Sequence, residues 1–362
     1  MAINLKFWKN EKKEGFWSLL KKMFSITGFR ITLLSIIFVS LILGIFFWIR
    51  YPVRQENINY GVNFSDKYAT EMMMDWKDVY IKILDDLGAK NIRLVAYWDD
   101  IEKENDKFDY SNIKWQLDEA QKRDVNVILA VGKKVPRWPE CFEPKWWQKM
   151  SSSDEKEHEL IDFVKRTVVE LKPYGAIKIW QVENEPFFPF GECSPFNIET
   201  LDKEISIVRS LDARPILTQD SGEGGFWVNS FKKADYLGIS MYRKIWYDFW
   251  GFFGGDFIYF KYPLANWSYK LKADLLRIPY DKIIITELQG EPWGPGLNSL
   301  LDDKEKDKTM SVNDFLSTIT YAQNAGFKDL YFWGAEWWLW EKEKNNNPYY
   351  WETARALFRN SN

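Results

Sequence analysis

The chain has 362 residues, of which 46% are hydrophobic, and its formal net charge is −3. This length suits one large domain or two small ones. The charge balance leaves no basic excess, so we expect no nucleic-acid partner. Aromatic residues are unusually frequent: 18% of the chain is Phe, Trp or Tyr, including 20 Trp. Some of these rings must pack a core, but wide aromatic faces also suit flat apolar ligand surfaces.

The N-terminal region joins a basic segment to an apolar one. Residues 1–29 contain six lysines against two glutamates, and residues 30–50 are charged only at their ends, Arg30 and Arg50. About 20 apolar residues are enough to cross the ~30 Å hydrocarbon core of a membrane as a helix. Because the basic flank lies on the N-terminal side, the positive-inside rule places residues 1–29 in the cytoplasm.

Two alternatives to a membrane helix are a buried core helix and a cleaved signal peptide. The run is apolar on every face, which disfavours the first, and it is long for a signal peptide, with no small-residue cleavage pattern after it. We therefore predict that residues 30–50 are an uncleaved signal anchor that crosses the lipid bilayer of the cell membrane once. A short tether at 51–57 would connect the anchor to an extracytoplasmic domain at 58–362.

The two cysteines and the single histidine constrain the chemistry. Cys141 and Cys193 could form a disulfide outside the cytoplasm, because both fall in loops at the same end of the predicted fold. Two free thiols are the alternative, since spacing alone does not give their distance. His158 lies in a helix-like stretch without a nearby cysteine, so we predict no metal site and no cofactor.

From residue 58 onward, short apolar runs alternate with amphipathic helical stretches. This alternation predicts a parallel sheet whose faces are covered by helices. Eight such units in about 300 residues predict an α/β fold of the closed (β/α)₈ TIM-barrel type. An open doubly wound sheet is the main alternative, but no glycine-rich phosphate-binding turn follows the first strand. The predicted strands are 58–64, 91–98, 125–132, 176–184, 214–220, 234–242, 281–288 and 329–337.

Polar and aromatic side chains collect where these strands end. In a (β/α)₈ barrel the functional groups gather at the C-terminal ends of the strands. A Ser-His-Asp or Cys-His set is excluded, because His158 lies in a helical stretch. Carboxylates are then the plausible acid–base pair. The strand-end residues are Arg93, Tyr97, Trp98, Lys133, Trp138, Asn184, Glu185, Gln219, Asp220, Tyr242, Glu287, Trp333 and Glu336.

Two strand-end glutamates stand out, Glu185 after the fourth strand and Glu287 after the seventh. Those strands lie across the barrel mouth from each other, so the two carboxyl groups can face one another over a bound molecule. Hydrolysis of an acetal needs that arrangement: one carboxyl protonates the leaving oxygen, while the other attacks or stabilises the oxocarbenium centre. Two carboxylates in one site also separate their pKa values, which keeps one of them protonated near neutral pH.

The motifs around these glutamates resemble those of the clan A glycoside hydrolases, which are retaining (β/α)₈-barrel enzymes. The matching segments are WQVENEP, IIITELQGEPW and LDDLGAKNIRLVAYWDDIE, the last of which contains Arg93. The resemblance covers most of residues 58–355. It implies a glycosidase that hydrolyses the O-glycosyl bonds of a β-linked oligo- or polysaccharide by double displacement, with retention of anomeric configuration.

The resemblance also implies roles for individual residues. Glu185 would be the acid/base and Glu287 the nucleophile. Asn184 would bind the sugar hydroxyl next to the anomeric carbon. Arg93 would keep Glu287 ionised, because a nearby cation favours the charged carboxylate, and Tyr242 would donate a hydrogen bond to Glu287.

Aromatic side chains are expected to line the same cleft. Trp333 would form the floor on which a sugar stacks, and Trp98 and Trp138 are further predicted substrate-binding residues. Two of the assignments have structural alternatives: Arg93 could be an ion pair within a barrel layer, and Trp333 could simply pack the top of the barrel.

Three further glutamates compete with the predicted pair. Glu183 shares a strand end with Glu185, and the period-two alternation of a strand does not separate them, so the choice of Glu185 rests on the resemblance. Glu291 is expected to contact substrate or solvent. Glu336 is expected to be a solvated loop carboxylate or to bind a substrate hydroxyl.

Two features leave the specificity open. Ser240 and residues 132–134 occupy regions where many clan members carry histidines, so the particular family and the sugar are not assigned. The aromatic segment 244–270 fits a sugar-stacking lid, a patch that dips into the bilayer or a small satellite core. A transglycosylase with the same glutamates, and a barrel that binds glycan without turning it over, are the alternative functions.

Overall fold

The computed structural model of the chain describes residues 18, 21, 25–50, 54–193, 196–247 and 258–361. It divides into two compact units, Met1–Val53 and Arg54–Asn362. Most of the predicted basic tail at 1–29, and the first part of the predicted tether at 51–57, lie outside these described residues.

The first unit contains one long helix, α1 (Ile26–Arg50). Within it, the 19-residue segment Thr27–Ile45 is long and apolar enough to cross a membrane, and none of it is buried in protein. Large apolar side chains such as Leu34 and Phe38 are each 64% exposed. A helix that exposes apolar side chains on all faces suits a hydrocarbon environment.

The second unit is a barrel of eight parallel strands, closed in the order β1-β2-β3-β4-β5-β6-β9-β10, with a separate two-stranded sheet β7-β8. The predicted (β/α)₈ fold is confirmed, and each of the eight predicted apolar runs matches one barrel strand, of which only β9 extends past its run, by one residue. The strands are β1 (Asn59–Asn63), β2 (Asn91–Val95), β3 (Asn126–Val131), β4 (Ile177–Val182), β5 (Ile216–Asp220), β6 (Tyr236–Met241), β7 (Lys244–Tyr247), β8 (Ile258–Lys261), β9 (Ile283–Gln289) and β10 (Asp329–Trp333).

Helices follow the barrel strands and cover them. Their apolar residues recur at helical spacing, as in the longest one, where Leu160, Phe163, Val164 and Leu171 are buried. That helix begins after Ser152, whose side chain accepts a hydrogen bond from the backbone three residues later. The helices of this unit are α2 (Asp66–Glu71), α3 (Trp76–Asp85), α4 (Trp98–Ile101), α5 (Ser111–Gln121), α6 (Lys145–Gln148), α7 (Ser153–Leu171), α8 (Ile198–Leu211), α9 (Val228–Phe231), α10 (Ser268–Leu276), α11 (Asp303–Met310), α12 (Val312–Ala325), α13 (Ala335–Lys344) and α14 (Tyr349–Ser361).

The barrel strands are buried on both faces, which explains their nearly continuous apolar sequences. In β3, Val127 and Leu129 pack with the large core cluster between strands and helices. Ile128 between them belongs to a different cluster, together with Leu217 and Ile284 from other strands. The barrel is therefore filled by side chains at its centre, and its chemistry must lie at an end.

Two loops at the C-terminal end of the barrel are linked covalently. Cys141 follows β3 and Cys193 follows β4, and they form a disulfide bond with their Cα atoms 5.3 Å apart. The predicted disulfide is confirmed, and the alternative of two free thiols is wrong.

The aromatic segment 244–270 begins with the antiparallel hairpin β7-β8. Gln289 at the end of β9 holds its base, since its side chain accepts hydrogen bonds from the backbone of Arg243 and Lys244 (2.7 and 3.0 Å). The tip of the hairpin, residues 248–257, lies outside the described residues, so the choice between lid, bilayer patch and satellite core stays open.

Candidate active site

The fully buried guanidinium of Arg93 lies at the centre of a hydrogen-bond network inside the mouth of the barrel. An arginine carries five N–H donors. The five acceptors are the side-chain oxygens of Gln181 (2.7 Å, from Nε), Asn63 and Glu287 (both 2.9 Å, from Nη1), and Asn184 and Gln219 (2.7 and 2.6 Å, from Nη2). The structure therefore brings Arg93, Asn184 and Glu287 into one connected set, as their strand ends predicted.

A β-bulge turns Glu287 toward this network. The register between β6 and β9 moves by one residue between Ile239 and Ser240. As a result Thr286 and Glu287 both reach Gln219: the Thr286 hydroxyl donates to Gln219 Oε1, and Gln219 Nε2 donates to Glu287 Oε1, both at 2.7 Å. In a regular strand these two neighbours would point to opposite faces of the sheet.

Three donors surround the carboxylate of Glu287. Arg93 and Gln219 bond one oxygen, and the hydroxyl of Tyr242 lies 3.3 Å from the other. Burial raises the pKa of Tyr242 well above its ordinary value, and the charge of Glu287 raises it further, so the tyrosine keeps the proton that it donates. The Glu287 carboxylate is the acceptor in all three of these contacts.

Glu185 is the second buried carboxyl group at this end of the barrel, and its side chain is 5% exposed. The hydroxyl of Ser240, in the region where many clan members carry a histidine, donates to its Oε1 at 2.9 Å. Burial raises the pKa of Glu185 well above its ordinary value, and the charges of Glu287 and Glu140 raise it further. Burial and these two charges therefore favour the protonated form of Glu185.

Glu183 points away from Glu185, although both follow β4. The two residues have φ of 60° and 44°, in a region that residues with a side chain rarely adopt, and this breaks the alternation of the strand. The Glu183 carboxylate accepts hydrogen bonds from the backbone N–H groups of Lys133 (2.9 Å) and Lys134 (2.7 Å). At Gly132, a Cβ would lie only 2.3 Å from Glu183 Oε1, so the approach requires glycine there.

The buried neighbour of Glu183 is Glu204 on α8, whose two carboxyl oxygens have no hydrogen-bond partner among the residues that the structure describes. Burial raises the pKa of Glu204 well above its ordinary value, and the negative charge of Glu183 raises it further. The two backbone donors favour negative charge on Glu183, whereas burial and that charge favour the protonated form of Glu204. This pair lies behind the site and stabilises the loop between β3 and α6.

We expect Glu204→Gln to raise the melting temperature at alkaline pH. The folded-state pKa of Glu204 lies above the unfolded value, so wild-type stability falls as pH rises above the unfolded pKa. Glutamine is neutral at every pH and has no proton to lose, so the variant should melt a few degrees above wild type at about pH 8, with the difference shrinking toward about pH 5. Glu199→Gln, an exposed change on the same helix, is the control. A difference that does not vary with pH would contradict the raised pKa of Glu204.

Sequence reasoning assigned no role to two buried charged residues beside Glu185, Lys134 and Glu140. Lys134 Nζ donates to the backbone carbonyls of Glu185 (2.8 Å) and Phe188 (3.0 Å) and lies 3.4 Å from Glu140 Oε2. Asn184 Nδ2 donates to Glu140 Oε1 at 3.4 Å. Burial raises the pKa of Glu140 to about 8, against the opposing charge of Lys134. Lys134 thus holds the backbone that carries Glu185.

Trp333 is covered on one face rather than open to the cleft. The guanidinium of Arg137 lies 4.4 Å from the centroid of its ring and 3.6 Å from that of Tyr68. Arg137 also forms ion pairs with Glu291 and, at 3.3 Å, with Glu336. The alternative that Glu291 and Glu336 are solvated is therefore wrong: both are less than a tenth exposed and neutralise a buried cation.

Lys134, Arg137 and Glu140, to which sequence reasoning assigned no role, all lie in the segment KKVPRWPE at 133–140, in the loop after β3. It holds four charged residues in eight positions beside two prolines, which is a signal that sequence reasoning could have used. Charges at such density in a loop at the functional end of a barrel are candidates for a site, because rigid loops there carry the functional groups.

Trp98 and Trp138 lie in different surroundings. Trp98 is fully buried, its indole N–H donates to Glu102 (2.7 Å), and its ring stacks on Phe163 at 5.0 Å. The expectation that Trp98 binds substrate is wrong, because α4 turns its ring into the core under the helices. Trp138 is 60% exposed on the loop after β3 and stays a candidate.

The chemistry available at this site is acid–base and nucleophilic chemistry by carboxyl groups. Burial favours the protonated form of Glu185, three donors contact the carboxylate of Glu287, and the two groups are close enough for the charge of Glu287 to raise the pKa of Glu185. Across the residues that the structure describes, no group of three or more His, Cys, Asp and Glu side chains could hold a metal ion.

Comparison with known proteins gives matches at the level of structure. No protein-family model and no curated protein matches the sequence. A GH5_18 structure from Streptomyces cattleya, in complex with GlcNAc, has a TM-score of 0.52 and 11% identity, over 78% of this chain and 71% of that chain. Xylanase 10B from Thermotoga petrophila RKU-1, in complex with xylobiose, also has a TM-score of 0.52, with 17% identity over 77% of this chain and 82% of that chain.

A third similar structure is the exo-beta-1,4-mannosidase Op5Man5 from Opitutaceae bacterium strain TAV5. It has a TM-score of 0.52 and 14% identity, over 86% of this chain but only 62% of the mannosidase chain. At these identities the likeness establishes the fold. That fold is the barrel that the alternation of apolar runs and helical stretches predicted.

Proposed function

We propose that the chain is a retaining glycoside hydrolase that cleaves a β-linked glycan. The observation that carries the proposal is the contrast between two buried carboxyl groups at the barrel mouth. Glu287 has three donors on its oxygens, whereas burial and the neighbouring charge raise the pKa of Glu185. A proton donor and a carboxylate that face one site are the pair that glycoside hydrolysis requires.

In the first step, an oxygen of ionised Glu287 attacks the anomeric carbon, and Glu185 gives its proton to the glycosidic oxygen. The bond to the leaving sugar breaks, and a glycosyl ester forms on Glu287. Asn184 is suited to bind the adjacent hydroxyl, because Arg93 holds its side-chain oxygen and its NH₂ group, which donates one hydrogen bond to Glu140, has a second N–H to donate. Contacts to that hydroxyl strengthen in the transition state.

In the second step, Glu185 takes a proton from water, which attacks the anomeric carbon and releases Glu287. Ester formation has removed the negative charge of Glu287, so the pKa of Glu185 falls and the group becomes an effective base. Two displacements at one carbon restore the original configuration. The likeness of the fold to a xylanase and to an exo-beta-1,4-mannosidase supports a carbohydrate substrate.

The direct test is turnover of 4-nitrophenyl β-glycosides by the full-length protein in detergent. A panel of glucoside, mannoside, xyloside, galactoside and N-acetylglucosaminide should contain at least one substrate, and proton NMR should find the β-anomer first. Inversion would overturn the two-step mechanism, and binding of glycans without any turnover would favour the non-catalytic barrel. Products longer than the substrate at high sugar concentration would identify a transglycosylase.

We also propose that α1 anchors the enzyme in the cell membrane with its barrel outside. Support comes from the exposed apolar segment Thr27–Ile45, from the lysines that precede it, and from a disulfide in the barrel, which fits an oxidising compartment.

Protease added to intact cells or spheroplasts should digest the barrel, and alkaline carbonate washing should leave the anchor in the membrane fraction. A cytoplasmic protein of the same cells is the control for lysis. Full protection of the barrel from external protease would contradict this topology.

A further inference from the structure

An aromatic chain crosses the mouth of the barrel between loops on its two sides. Phe190, after β4, has its ring centroid 5.4 Å from that of Trp293, after β9. Trp138, after β3, lies 5.7 Å from Phe190, and Tyr242 contacts Trp293 edge-on at 5.0 Å. Because β5 and β6 separate β4 from β9, a contact between the loops that follow β4 and β9 must span the opening. We call Phe190 and Trp293 the aromatic bridge.

The bridge has the same end points as the catalytic pair. Glu185 follows β4 and Glu287 lies in β9, and Tyr242 contacts both Glu287 (3.3 Å) and the ring of Trp293 (5.0 Å), so the bridge spans the same two sides of the mouth as the carboxyl groups. A polysaccharide cleaved within its chain must cross the gap between these carboxyl groups, with sugars bound on both sides of it. Because the aromatic bridge occupies this path, the mouth has no open groove for such a chain. Both carboxyl groups are accordingly at most 5% exposed.

The β4 side of the bridge is fixed by several independent contacts. The disulfide joins its loop to the loop after β3, and the Glu192 N–H donates to the Pro139 carbonyl at 3.0 Å. At Gly191, φ is +86° and a Cβ would lie 2.8 Å from the Pro139 carbonyl oxygen, so the two loops pack backbone to backbone. Lys134 holds the Phe188 carbonyl at 3.0 Å from below. These contacts therefore fix the loop that carries the β4 end of the aromatic bridge.

A second wall lies on the side of the mouth that runs from β9 through β10, β1 and β2 to β3. Arg137 from the loop after β3 joins Glu291 after β9 and Glu336 after β10, and it stacks on Tyr68 after β1. A buried ion cluster of this kind is costly to separate, since each charge would lose its partner. A further sugar on this side of the first bound sugar would have to separate the ion pairs of Arg137.

We infer that the site is a closed pocket that takes one terminal sugar, so that the enzyme removes single residues from the non-reducing end of a β-linked chain. This inference rests on the proposed function, because it places the terminal sugar between Glu185 and Glu287. The aromatic bridge and the Arg137 cluster are the elements that exclude an internal linkage.

The experiment uses hexasaccharides labelled with a fluorophore at the reducing end, in the sugar series whose aryl glycoside is turned over. Electrophoresis of the first products should show the labelled pentasaccharide, with free monosaccharide released. Labelled di- to tetrasaccharides among the first products would overturn the inference while leaving the hydrolase intact. Absence of turnover on every aryl glycoside would instead reject the proposed function.

A blocked substrate tests the pocket without any mutation. A 4-O-methyl group on the non-reducing terminal sugar should lower kcat/KM on the hexasaccharide on the order of 100-fold, because a closed wall has no room for it. A change below about threefold would mean that the terminal sugar lies in an open groove, and it would overturn the inference.

Variants of the bridge test which residues close the site. Phe190→Ala and Trp293→Ala should raise the ratio of internal to terminal cleavage at least tenfold, and this ratio does not depend on the folded fraction. Phe226→Ala, an 87% exposed ring after β5, is the matched control and should leave the ratio unchanged. An unchanged ratio in both bridge variants would overturn the assignment of closure to this bridge.

Discussion

Glu287→Gln is expected to lower kcat on every aryl β-glycoside on the order of 10⁴-fold or more, because the amide cannot form the glycosyl ester. The fold should survive the change. Glutamine is nearly isosteric, and its side-chain oxygen can still accept the hydrogen bonds of Arg93 and Gln219 (2.9 and 2.7 Å in the wild type). The measurement is steady-state turnover, with the melting temperature recorded alongside.

Glu199→Gln, an exposed change of the same kind on α8, is the matched control and should keep full activity. A fluorosugar that traps the intermediate should label Glu287 in the wild type and leave the Glu287→Gln variant unlabelled. Near-normal turnover by Glu287→Gln, or trapping on another residue, would contradict the assignment of the nucleophile.

The second large effect is expected for Glu185→Ala, and its size should depend on the leaving group. Substrates with poor leaving groups need protonation by Glu185, so their kcat/KM should fall by about 10²–10⁴-fold, whereas 2,4-dinitrophenyl glycosides leave without help in the first step. Azide should then restore turnover and yield a β-glycosyl azide, since a small anion replaces the missing base in the second step.

The pH profile gives an independent reading of the same residue. The alkaline limb of wild-type kcat/KM reports loss of the Glu185 proton, whose pKa burial raises well above its ordinary value. In Glu185→Ala this limb should disappear for activated substrates. Glu183→Gln is the control, because its carboxylate faces Glu204 and should show no azide rescue. Rescue of the Glu183 variant alone would reverse the assignment.

The strand pattern and the two glutamates were accessible from the sequence. Eight apolar runs separated by amphipathic stretches can bury their faces only as a parallel sheet covered by helices, so the order of the runs predicted the barrel. The contact between Arg93 and Glu287 was implied by the resemblance, and it agrees with the rule that the C-terminal ends of parallel strands share one edge of the sheet.

The sequence offered only a resemblance for choosing between the neighbouring glutamates, and the physical reason that separates them lies in the tertiary structure. Glu183 and Glu185 differ by two positions, and a regular strand would place them on the same face. Left-handed backbone at both residues separates them, and it is held by groups more than 45 positions away, the backbone of Lys133 and the hydroxyl of Ser240. Such a conformation has no local sequence preference that would predict it.

Burial of the aromatic and charged side chains was also decided by tertiary packing. The sequence determined that Trp98 and Trp333 follow strands at the functional end, but helix α4 carries Trp98 into the core, and Arg137 covers one face of Trp333. Loop charges find their partners from distant strands, as Arg137 does with Glu336. Strand order depends on a hydrophobic pattern that repeats along the chain, so the sequence by itself determined it. The contacts of these side chains depend on which loops meet in space, so only the tertiary structure decided them.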